Sequence, residues 1–177
     1  MQRLMICAAI AATCASPVAA EDAATAPAIE PPPVWLTTIE ADPMTDEIKT
    51  TFKLEATNSP PCRAKGEEKP AIVLHCTGRA WTAVIQQDCS IGIEKQFNFL
   101  TRHDSEKAVR RIFVNLARNH LQIPDSAAAA AFVATLPATG EFRVQIEPYR
   151  DYPMTVLFQV AGLADAVKAS GASCPLN

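Results

Sequence analysis

Glycine is scarce in this 177-residue chain, at six positions, and none belongs to a Gly-rich phosphate loop, so nucleotide-loop chemistry has no scaffold. No G-x-S-x-G elbow and no H-E-x-x-H occurs. Close cysteine pairs of the C-x-x-C kind, in which structural zinc sites bring their ligands, are missing too, which disfavours a metal site built on His75 beside Cys76. Charge of one sign is also lacking: 16 Lys and Arg stand against 19 Asp and Glu, well mixed along the chain. Nucleic acid therefore finds no basic surface to hold. The one basic cluster, Lys107, Arg110 and Arg111 in KAVRR, is offset by Asp104 and Glu106 and reads as a solvated face. Neither the N-terminal apolar run nor any later stretch is long enough to span a bilayer permanently. Neither a cofactor nor a metal is expected.

What is present begins with MQRLMICAAIAATCASPVAA. Arg3 precedes an uncharged Leu/Ile/Ala run that ends in Val18, Ala19 and Ala20, and Glu21 and Asp22 follow. The positive end, the apolar centre and the small residues at −3 and −1 predict a secretory signal peptide over 1–20. A lipid anchor at Cys14 is disfavoured, because Thr13 precedes it and no Leu stands at its −3 position. Residues 21–33, rich in Ala, Pro and acids and ending in a Pro triplet, have almost nothing to bury and read as a flexible tether. Residues 34–177 are of a size that makes one domain with a single core.

Cys7 and Cys14 leave with the signal peptide, so Cys62, Cys76, Cys89 and Cys174 remain. An even number in an exported chain predicts disulfides, and four cysteines allow three connectivities.

Several segments alternate apolar and polar residues with period two, as strands with one face on a core do. EFRVQIE points Phe142, Val144 and Ile146 one way, and TFKLEA does the same with Phe52, Leu54 and Ala56. PAIVLHC and AWTAVIQ flank TGR, where Gly78 can take positive φ, and read as a hairpin. MTVLFQV follows EFRVQIE through a short Pro-bounded link, which predicts antiparallel neighbours. Two short helices interrupt the strands. AAAAAFVATL is capped by Asp125 or Ser126 and stopped by Pro137. LADAVKAS places Leu163, Ala166, Val167 and Ser170 on one side, and Gly171 ends it. KAVRRIFVNLARNHLQI fits both a helical face (Val109, Ile112, Phe113, Leu116, His120) and a β-rich run; we read it as strand. The expected fold is mainly β, an antiparallel β-sandwich or partly open barrel with two short helices.

Three histidines offer candidate chemistry. RHDS sets His103, Asp104 and Ser105 side by side, but neighbours on a strand face opposite ways and cannot converge as nucleophile, base and orienter. His75 at a strand end and His120 in a turn-like RNH suit structural roles. Asp42 and Asp46 form a carboxylate pair that a loop explains as well as a glycosidase would. No catalytic residue is assigned, and a non-enzymatic role is expected.

Taken in order, Trp35, DPMTDE, PAIVLHC, AAAFVATL, EFRVQIEPYRDYPMTVLFQVAGLADAV and the last cysteine resemble the VasI family, also called TagO. These are small exported proteins associated with type VI secretion systems of Gram-negative bacteria. The resemblance spans nearly the whole of 34–177. Where the family commonly has a Trp and then a Ser-containing stretch, this chain reads RIFVNLARNH, and of the family's Arg-x-Asp it keeps Arg102 and Asp104. The family's cysteines match Cys76 and Cys174, so the resemblance implies that these two pair and that Cys62 pairs with Cys89. It also implies a periplasmic accessory or adaptor protein that binds an envelope or secretion-system protein rather than catalysing a reaction. The alternatives are a generic periplasmic binding or inhibitor domain and an envelope hydrolase acting on peptidoglycan or glycans.

Overall fold

A computed structural model describes residues 34–63, 66, 68–117, 119–136, 140–148 and 150–176. The expected signal peptide, the tether, Cys14 and the Pro137 helix stop lie outside the described residues. The alternating segments become β1 (Leu36–Ala41), β2 (Ile48–Glu55), β3 (Ala71–Thr77), β4 (Ala80–Gln86) and β5 (Gln96–His103). Next come β6 (Val109–Ala117), β7 (His120–Gln122), α1 (Ser126–Thr135), β8 (Glu141–Ile146), β9 (Met154–Gln159) and α2 (Leu163–Ser170). The strands form one antiparallel sheet in the order β1-β2-β3-β4-β7-β6-β5-β8-β9. The described residues are thus mainly β with two helices, and the sheet is not closed into a barrel.

Period-two patterning decides which way each strand faces. Phe52 and Leu54 of β2, Leu74 of β3, Ile85 of β4, Phe142 and Val144 of β8, and Phe158 of β9 are all fully buried on the inner face. Removing each such side chain from water contributes about 1.5 to 3 kcal/mol. Ala56 lies just past the end of β2 and is half-buried against the core. The β3–β4 hairpin turns on Gly78 and Arg79, between the paired Thr77 and Ala80. Gly78 has φ +59°, a conformation that favours glycine.

The ambiguous middle segment is two strands. Phe113 is buried, whereas Val109, Ile112 and Leu116 are exposed. A helix would have needed all of them on one covered face; a strand needs only Phe113 inward, which the pairing Phe97↔Phe113 provides.

Helix α1 starts where the Asp125 side chain accepts a hydrogen bond from Ala128 N at 2.8 Å, satisfying an orphan amide. Its Ala129, Phe132 and Val133, and Leu136 just past its end, are buried in the core, with Phe132 edge-on to Phe142 at 5.3 Å between ring centroids. The alanine run thus lets a helix approach the sheet closely while Phe132 fills the inner face. Helix α2 is bracketed by Gly162 and Gly171, both left-handed, and buries Leu163 and Val167.

The two ends of the sheet approach each other. Thr57 N donates to Leu157 O at 2.8 Å, so the segment leaving β2 reaches the outer edge of β9. Trp35, buried just before β1, donates from Nε1 to Val160 O at 3.1 Å. The sheet therefore wraps around its own apolar face without a strand ladder closing it.

Candidate functional site

Two disulfides fasten this fold. Cys76 on β3 is bonded to Cys174 at an S–S distance of 2.08 Å across 98 residues of sequence. Trp81 Nε1 donates to Pro175 O at 2.7 Å, and Ser173 Oγ donates to Gly78 O. The C-terminal segment after α2 is thus held to the β3–β4 hairpin by a covalent bond and two hydrogen bonds. Cys62 is bonded to Cys89 at 2.11 Å, across 27 residues.

The second disulfide anchors a strap. Between β2 and β3, Asn58 lies along the outer edge of β9: its Nδ2 donates to Thr155 O at 2.9 Å and its Oδ1 accepts from Leu157 N at 2.8 Å. One side-chain amide thereby supplies the donor and acceptor that another strand would have offered. Ser59 Oγ donates to Asp88, and Arg63 N donates to the Asp151 carboxylate at 3.0 Å, so the chain just beyond Asn58 is pinned twice more. Cys62, Asp88 and Cys89 place their ligand atoms within 4.8 Å of one another. The two sulfurs are bonded to each other, so they offer no thiolates to a metal.

The residues weighed for catalysis do not converge. His103 is buried, its ring 5.0 Å from that of Phe142 and 6.4 Å from that of Phe132. Burial, and then the nearby Arg111 charge, lower its pKa below the ordinary 6.5. Asp104 is exposed at φ +41° and accepts hydrogen bonds from Glu141 N at 2.7 Å and Gly140 N at 3.1 Å, which lower its pKa. Ser105 is exposed in the turn beyond it. His75 Nδ1 meets Thr51 Oγ1 at 2.9 Å, and its pKa is lowered by burial first and Lys49 second. It faces away from buried Cys76, its neighbour on the strand. His120 opens β7, with Nδ1 2.9 Å from Asn119 Oδ1. Asp42 caps the β1–β2 turn, accepting from Met44 N at 2.8 Å and Thr45 N at 3.1 Å, while Asp46 N donates to Asp42 O.

The basic cluster departs from the solvated face expected of it. Lys107 and Arg110 are exposed, but Arg111 is half-buried on the inner side of β6. Its guanidinium carbon lies 5.5 Å from the Phe132 ring centroid, and its Nε donates to Thr101 Oγ1 at 3.1 Å. Consecutive residues on a strand face opposite ways, so a basic run cannot form one solvated face there.

The outer face carries a feature that no local motif announces. Arg102 on β5 and Arg143 on β8 are directly opposite in register. They line a cleft of about 250 Å³ with Leu100, Ala108, Gln145 and Thr155. Arg143 Nε donates to Glu141, whereas Arg102 Nε is shut off from solvent and meets no partner among the described residues.

Fold and site together define a class: a disulfide-stapled, mainly-β domain whose β9 edge is capped by its own chain. Comparison with family models, with curated proteins and with solved structures returns no match in any of the three.

Proposed function

We propose that this chain is an exported accessory protein of the bacterial envelope, linked to type VI secretion, which works in the periplasm by binding a protein. The observation that carries the reading is how the polar groups are employed. His103 packs between aromatic rings, Asp104 caps the start of β8, Asp42 holds a turn and the four cysteines among the described residues are bonded. Each candidate for chemistry serves the fold, which suits a domain that presents a surface. Two disulfides fit an oxidising compartment. No helix among the described residues is long and apolar enough to cross a membrane. The ordered resemblance to the VasI family adds the secretion-system context.

Gene neighbourhood tests that context: the gene is expected inside or beside a type VI secretion cluster, and a genome without such a cluster removes the assignment. Incubation with purified sacculi tests the hydrolase alternative. No soluble fragments are expected, and fragments that vanish on changing His103 or Asp104 to Ala would make the protein an enzyme.

A further inference from the structure

Two arginines directly opposite each other on neighbouring strands repel, an arrangement that costs stability unless something neutralises it. Glu141 accepts from Arg143 Nε and lies two residues along the same strand. Arg102 is half-buried and lines the cleft, and its Nε is closed to solvent with no partner among the described residues, so part of this guanidinium's hydrogen-bonding capacity is unused. Arg110 lies on the same outer face, opposite Leu100, with Nη1 3.5 Å from Asn98 O. It adds a third cation to that face. The chain as a whole carries a net charge of −3, so this face is a local reversal of sign.

We propose that the outer face of β5 and β8 is a docking site for an acidic protein segment, with one carboxylate side chain seated between Arg102 and Arg143. A carboxylate is planar and accepts two parallel N–H bonds, which matches the guanidinium fork. The cleft of about 250 Å³ has room for one such side chain, and Gln145 and Thr155 offer further polar groups at its wall. The inference rests on the protein-binding role proposed above and specifies the chemistry of the partner.

Titrating the full chain with a hexaglutamate peptide, while following the Nε–H signals of Arg102 and Arg143 by NMR, tests it. Saturable shifts of both signals are expected, weakening as salt is raised. Affinity should fall at least about ten-fold in Arg102→Gln and several-fold in Arg102→Lys, which keeps the charge but loses the fork. Lys107→Gln should leave it unchanged, and hexaglutamine should not bind. Arg143→Gln, run in parallel with thermal unfolding of each variant, separates a binding defect from a folding one. Unmoved signals, undiminished affinity in both folded Arg→Gln variants, or tighter binding of inorganic phosphate than of the peptide would each overturn the proposal. An envelope partner captured equally well by wild type and Arg102→Gln sinks this site and leaves the binding role intact. Hexaglutamate binding with no envelope partner recovered does the reverse.

Discussion

His103 illustrates how a residue that looks chemical in sequence is used for packing. Its imidazole is buried against Phe142 and Phe132, and its pKa is lowered by that burial and by Arg111, with Glu106 and Asp104 pulling the other way. The unfolded chain therefore takes up a proton near pH 6.5 that the folded chain resists. Stability from this group is complete above that pH and declines as pH falls below it. His75, also lowered by burial, acts in the same direction. Urea midpoints measured from about pH 7.5 down to about pH 5.5 should fall with pH, and His103→Phe should flatten the fall; an unchanged slope in the variant would refute this role. Asp42, Asp104 and Asp151, each lowered chiefly by backbone hydrogen bonds, add a further loss once pH drops below the ordinary Asp value of 3.8. Arg111 contributes through contact with Phe132 and a hydrogen bond to Thr101. Arg111→Ala should cost about 1 to 2 kcal/mol in denaturant unfolding, whereas the exposed Lys107→Ala should cost almost nothing.

Among the elements, β9 and the C-terminal segment depend most on distant parts of the chain. Asn58 gives the β9 edge two hydrogen-bond partners beside the one from Thr57 N, so Asn58→Ala should cost about 1 to 2 kcal/mol. It should also speed hydrogen exchange at Leu157 N, the amide that Asn58 accepts from; unaltered exchange there would mean that the strap does not protect the edge. The Cys76–Cys174 bond closes the longer loop, and the chain-entropy model gives it up to about 4 to 5 kcal/mol, against about 3.5 kcal/mol for Cys62–Cys89. Cys174→Ser should therefore lower the unfolding midpoint more than Cys62→Ser under non-reducing conditions, and the reverse order would contradict this ranking. A non-reduced digest followed by mass spectrometry checks the pairing itself, since a peptide joining Cys62 to Cys76 is incompatible with it. Strands and helices are legible in the sequence because their signals are local: Phe142, Val144 and Ile146 alternate within one short strand, and Gly171 marks a helix end by itself. The strap is not legible. Nothing around Asn58 says that its amide will meet Thr155 and Leu157, on a strand far along the chain. The Arg102–Arg143 pair is hidden for the same reason, because register between β5 and β8 belongs to the sheet and not to either strand. Arg111 departs from its expected place because charge runs along the sequence while burial follows the alternation.

At the scale of the whole described domain, a sheet wraps around one apolar face, plugged by α1 and fastened at the strap and at the C-terminal segment. Its polar groups serve turns, caps and edges, and the binding role proposed above assigns the partner to the outer face. The proposed partner is an envelope or secretion-system protein. Cross-linking in cells that carry the secretion cluster, followed by recovery of the full-length chain under non-reducing conditions, tests that claim most directly. A discrete adduct with one component of the secretion assembly, preserved in His103→Ala and Asp104→Ala, is the expected result; recovery of the chain without any such component, alongside sacculus fragments released by the purified protein, would contradict it.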